Sequence, residues 1–444
     1  MKRTLLGGLM ALWLVGFSYA EQVEFDIVVK AGKHDYKQVP VCVPLNVPKS
    51  CAKVTVATME GEVAVVGGQL TVPALTTESV LVAGKGTVRR DLHFILPELK
   101  AGAVAKLTAK LNTEAQYKSN QSFVWTDKKK EYSELGYQDG KRVRPILRYM
   151  KKPYDTSSDM ARNQSYKVFH HVYDLQGKRF VTNGGHTDLP FDANNKQLRG
   201  LLFPHHRGLM FGFNRITWGG NKKADVWHCR QRGKSENYIE HVKTLSQESG
   251  PILGRHRVLI DWHGSKTDVF AQEVRELTVY KVPGGTLVEF ASLVKTTSGD
   301  VILDGDPQHA GFQFRASNDV ARKTKKQTYY LRPETGKGKL GQTINWPGNK
   351  SATVDLPWKA MSFVLDGKRY TAAYLDHPMN PGEARHSERD YGRFGYYFTY
   401  KVTEKTPLLV NYRVWLQDGE MTMEEVDALR QDFVTVPEVS VRQS

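Results

Sequence analysis

Short runs of alternating apolar and polar residues, rich in Val, Ile, Leu, Tyr and Phe and cut by Gly or Pro, recur from residue 23 to residue 415. No other feature constrains the fold as much. Period-2 alternation buries one face of a strand, and turn residues at this density make consecutive strands antiparallel. Runs at 23–29, 53–57, 62–66, 69–72, 79–82 and 92–96 predict an N-terminal β-sandwich over 21–117, ending in the polar stretch 112–120. Runs at 144–149, 166–169, 257–260, 269–280, 286–294, 312–315, 361–365, 371–375, 396–402 and 408–415 predict a second, larger unit over 118–440. Strands in that number require two packed layers, so the expected class is all-β with a large antiparallel sandwich. Helical spacing appears at 421–433, where Thr422 suits the N-cap and Glu424 and Glu425 suit the first turn.

The first 20 residues have the form of a secretory signal peptide. Lys2 and Arg3 precede an apolar stretch, and Ser18-Tyr19-Ala20 places small residues where a signal peptidase cuts. No later stretch is long enough to span a bilayer as a helix, so the mature chain is expected to be exported, to the periplasm or beyond the cell. The formal charge is +16, which favours anionic partners. Its basic runs, such as Lys128-Lys129-Lys130 and Arg322-Lys323-Thr324-Lys325-Lys326, are scattered, and export argues against nucleic acid. Cys42 and Cys51 are close enough in sequence to close a short loop in an oxidising compartment, leaving Cys229 buried; no CxxC pair offers a cysteine zinc site.

Polar chemistry gathers in three places. Phe203-Pro204-His205-His206-Arg207-Gly208 holds adjacent histidines, which share a cleft only where the chain turns; Pro204 and Gly208 permit that. Asp225-Val226-Trp227-His228 puts Asp225 and Trp227 on one face if extended, a carboxylate beside an indole as sugar sites use. Asp376-His377-Pro378-Met379-Asn380, with His386 to Gly392 following, reads as a loop carrying a carboxylate, imidazoles, an amide, Arg389 and Tyr391. Arg389 suits a carboxylate or sulfate, and Tyr391 or a histidine can move a proton. Neither a GxSxG elbow nor HExxH is present.

Several segments together resemble an exported, planctomycete-type bacterial family of unassigned activity that carries the label "methane oxygenase PmoA". They are 99–102, 144–149, 171–174, 204–209, 225–228, 376–380 and 389–394, with Arg385-His386 standing where the family has Trp-His. The label implies an integral membrane subunit, and the hydropathy of this chain disagrees with it. The resemblance instead implies a super-sandwich of the galactose-mutarotase or polysaccharide-lyase kind, whose concave sheet takes carbohydrate. On that reading the chain is a secreted carbohydrate-active enzyme of lyase or hydrolase type, acting on a glycan, anionic ones included. His206, His377, Tyr391 and Arg389 are then the expected catalytic residues. His205, Arg207, Asp225, Trp227, His241, Asp376 and Asn380 would line the sugar subsites, with Asp225 and Asp376 the carboxylate pair a hydrolase needs. Two other readings stay open. One is a glycan-binding protein using Trp227 and Trp262 as platforms. The other is a metal enzyme with His205 or His206, His241 and His377 as ligands.

Overall fold

The computed structural model describes residues 22–77, 81–113, 120–185, 191–192, 197–229, 231–232 and 235–444; the signal-like segment and residues 79–80 lie outside that set. The all-β expectation holds. The N-terminal part is a seven-stranded antiparallel sheet that folds over a core of its own, where Phe25, Ile27 and Val29 meet Val41, Val43, Leu92 and Phe94. Its closing strand comes from the far end of the chain: Glu438–Gln443 pairs with Gln22–Lys30. No disulfide joins Cys42 and Cys51, and all three cysteines are thiols.

Some expected strands shift. The run at 53–57 starts late, as Val56–Gly61, and 62–66 is not extended. One strand was hidden by its prolines. Tyr36–Pro48 contains Pro40, Pro44 and Pro48, yet pairs along its length with Thr87–Leu99. It lies at the edge of the sheet. Residues an even number apart turn their amide positions to the same side. All three prolines therefore aim their missing donors at the open edge, where none is needed.

The larger part is a sandwich of an eight-stranded and a nine-stranded antiparallel sheet. The eight-stranded sheet runs, in spatial order, through Arg385–Arg389, Arg393–Tyr397, Ala310–Arg315, Leu209–Phe213, Phe169–Val172, Arg142–Met150, Tyr132–Asp139 and Gln121–Lys128. Between the sheets, Phe211, Phe213, Phe312, Phe314, Phe394 and Tyr396 pack against Val258, Trp262, Phe290, Phe363, Tyr374 and Tyr412. The predicted helix forms at Met423–Val434, with Thr422 and Glu425 in a reciprocal capping box. Its Val426 and Phe433 cover the outer face of the nine-stranded sheet against Trp358, Leu375 and Trp415. Among the described residues no helix is long and apolar enough to cross a membrane.

Candidate functional site

Side chains alternate across a strand, so the aromatic residues that face the core leave Met210, Gln313, Arg315, Arg389 and Arg393 on the outer face of the eight-stranded sheet. Connecting segments lie over that face and bring four imidazoles together. Ring centroids are 4.3 Å apart for His205 and His206, 4.7 Å for His205 and His228, 4.5 Å for His228 and His309, and 5.2 Å for His206 and His309. Phe203, Gln308, Arg389 and Tyr391 complete a cleft of about 450 Å³. Phe203 stacks on Tyr391 at 4.1 Å.

The chain turns at the histidine pair, as Pro204 and Gly208 suggested. The His206 amide donates to the Phe203 carbonyl at 3.1 Å. Gly208 has φ +37°, and a Cβ there would stand 2.0 Å from the His170 carbonyl oxygen, so only glycine returns this chain to the sheet. Lys167, buried and pushed down to about 8 by that burial, donates to the carbonyls of His205 and Trp227 and ties the two loops together.

His228 and His309 are held by the same device. Asp225 Oδ1 accepts the amides of Trp227 and His228 at 3.1 and 2.8 Å, while its Oδ2 accepts His228 Nδ1 at 2.8 Å. Asp306 Oδ1 accepts the Gln308 amide at 2.9 Å and His309 Nδ1 at 2.8 Å. In each case an Asx turn bends the chain so that the aspartate fixes the imidazole three residues on. Burial pushes both carboxyls up. The hydrogen bond and charge of the paired histidine outweigh it and hold Asp225 below, and Asp306 far below, the usual carboxylate range. Burial lowers His309 despite Asp306, and it lowers His206 strongly, with His205, Arg393, His309 and Arg315 adding to the effect. Burial and the neighbouring cations thus favour the neutral form of His206.

Beneath the imidazoles lie guanidinium groups without acids. Arg393 is fully buried and donates to Gln313 Oε1 at 2.8 Å and Ser387 Oγ at 2.6 Å. Arg315 is 1% exposed and donates to the carbonyls of Ala316 and Tyr391 at 2.9 and 2.6 Å. Burial, with Arg393 adding to it, pushes Arg315 down to about 10. Arg389 donates to the Glu388 carbonyl at 2.8 Å, and burial lowers it too. Among the described residues none of the three meets a carboxylate within ion-pair distance.

The structure thus gathers His205, His206, Arg389 and Tyr391, with Asp225 behind His228; it places Arg207 and Trp227 in the packing of the cleft loops and takes His241, His377, Asp376 and Asn380 elsewhere. Segment 225–228 is a turn, and Trp227 is fully buried against Phe169 and Met210, so it offers no sugar platform. Trp262 is likewise core, its Nε1 donating to Glu273 at 3.0 Å. Arg207 is spent on the loop itself: its Nε donates to the Pro204 carbonyl at 3.1 Å and its guanidinium lies 4.1 Å over Tyr166. Segment 376–391 is interrupted by the strand Arg385–Arg389, which carries Arg389 and Tyr391 away from the residues before it. Asp376 is bound by Asn380 at 2.6 Å and by Tyr396, and Asn380 also donates to the Asn411 carbonyl at 2.6 Å, a structural bridge. His377 packs on Phe433. His241 sits 5.5 Å from Tyr149 in a separate cluster with His170 and His256. Neither His241 nor His377 lines the cleft, so they join no ligand set with His205 or His206. Asp225 lies at the cleft and Asp376 in that bridge, so the two do not flank one bond. His309 and Asp306 escaped the sequence reading. Their signal was the recurrence of Asp-x-x-His, once as Asp225 to His228 and again as Asp306 to His309.

Comparison with curated proteins gives no match. Among solved structures, a protein in the glycosyl hydrolase family 38 from Enterococcus faecalis aligns over 95% of this chain and 47% of its own, at 8% identity and a TM-score of 0.39. The chain thus spans about half the length of that protein. Residues 139–431, which hold the whole histidine cleft, match the model of DUF6807, a family of unknown function, and the chain belongs to that family.

Proposed function

We propose that this chain is an exported carbohydrate-active enzyme that cleaves an acidic glycan in the histidine cleft by β-elimination. The observation that carries the reading is the charge pattern: buried, acid-free guanidiniums under a cleft lined with imidazoles. Burying a cation without a counter-charge is costly, and a substrate carboxylate supplies that charge. Hydrolysis by a carboxylate pair has no support, since Asp376 is engaged elsewhere and Asp225 is bound to His228.

In the proposed reaction Arg389 holds the uronate carboxylate and draws charge from C5. His228, with Nδ1 held by Asp225, takes the C5 proton on Nε2. The C5–H electron pair forms the C4–C5 double bond, the C4–O bond breaks, and the Tyr391 hydroxyl protonates the leaving oxygen. Phe203 and Tyr391, stacked at the rim, give the ring an apolar surface.

The test is digestion of neutral and acidic polysaccharides, followed by unsaturated-uronate absorbance and by mass spectrometry. Unsaturated products from an acidic polymer, reduced about 100-fold or more in His228→Gln and in Tyr391→Phe, are expected. Binding without products would make this a glycan-binding protein. Products formed at the wild-type rate by His228→Gln would place the chemistry elsewhere.

A further inference from the structure

Three of the clustered imidazoles have the arrangement of a metal centre. His205, His206 and His309 each bring one ring nitrogen within 4.8 Å of the other two. A tetrahedral ion with bonds near 2.05 Å separates its ligand nitrogens by about 3.3 Å, so each ring closes by less than about 1 Å to reach it. His309 spends Nδ1 on Asp306 and keeps Nε2, which is how carboxylate-backed metal histidines are oriented.

A second observation points the same way. His206 is 1% exposed, and among the described residues its buried Nδ1 has no hydrogen-bond partner. A purely structural histidine at such burial is normally satisfied. An ion bound here would draw His206 into a shared coordination sphere with His205 and His309.

We infer that His205, His206 and His309 hold one divalent transition-metal ion of the zinc type, open on the cleft side. The donor set is all nitrogen, which suits zinc and its neighbours and disfavours magnesium and calcium. Three ligands leave a coordination position for water or substrate, as catalytic sites do. The ion would add Lewis acidity beside the carboxylate position assigned to Arg389, and His228 keeps its separate place as base. The inference rests on the donor geometry and not on the elimination reading, so metal binding and cleavage can fail separately.

The experiment uses the tag-free full chain, stripped with a chelator and titrated with Zn²⁺ alone by calorimetry. One equivalent should bind tightly. His309→Ala should weaken binding at least 100-fold, and Asp306→Asn, which keeps every ligand, about 10- to 100-fold. His241→Ala and His377→Ala should bind as the wild type does. Metal-free thermal unfolding of each variant shows that the fold is retained. Absence of stoichiometric binding, or affinity unchanged in both His309→Ala and Asp306→Asn, would overturn the assignment.

Discussion

Glu388 and Arg389 are neighbours on one strand, point to opposite faces of the sheet, and stand in opposite electrostatic situations. On the core side Glu388 is fully buried and bridges the sheets, accepting Arg332 Nε at 2.8 Å and Nη2 at 2.6 Å and pairing with Lys359 at 2.8 Å. It also accepts the Ile344 amide at 2.9 Å. On the outer side, Arg315 and Arg393 are buried as deeply and, among the described residues, have only neutral acceptors. On the core side the chain itself supplies an acid to the buried cations. The outer-side cations have no acid in contact among the described residues, and Arg389 among them lines the cleft. Burial of charge is therefore no sign of function by itself; what separates the two sets is whether the chain supplies the counter-charge.

The largest expected effect breaks the complete set. Glu388→Ala leaves Arg332 and Lys359 buried without an acid and should cost about 3–5 kcal/mol in urea unfolding. Arg393→Met on the other face should change stability by no more than about 1.5 kcal/mol, because it removes a charge that was never paired. Unfolding curves that rank these variants the other way would erase the distinction.

A smaller effect concerns Asp376, which is half-buried and, among the described residues, has no cation in ion-pair contact. Burial raises it to about 7, so it is largely protonated in the folded chain up to that pH. Its folded pKa lies above the unfolded value of about 3.9, so its contribution to stability is complete below that value and is lost as pH rises through about 7. Asp376→Asn should flatten the decline in stability between about pH 4 and 7 while leaving cleavage at the histidine cleft intact. An unchanged pH profile would show that Asp376 is ionised in place.

Much of this was legible in the sequence, and the failures have physical reasons. The alternation pattern reports burial of one strand face, so the all-β class and strands such as Val269–Tyr280 follow directly. Tyr36–Pro48 was hidden because proline interrupts a strand only where its amide is needed, and sequence does not say which strand lies at an edge. The turn at His205 and His206 was readable from Pro204 and Gly208. Trp227 and Trp262 were misplaced because an indole's composition is the same on a sugar platform and in a core. The segment 376–391 seemed one group because its residues are close in sequence. A five-residue strand separates its ends, and only its second part reaches the cleft.

The measurement that bears most directly on the account is calorimetric binding of acidic and neutral oligosaccharides of equal length to the wild-type chain and to Arg389→Met. The account predicts that the wild type prefers the acidic ligand at least tenfold, and that Arg389→Met, folded as stably, loses the preference. Equal affinity for both ligands, or a preference undiminished in Arg389→Met, would contradict the claim that the acid-free guanidinium lining the cleft holds an anionic substrate.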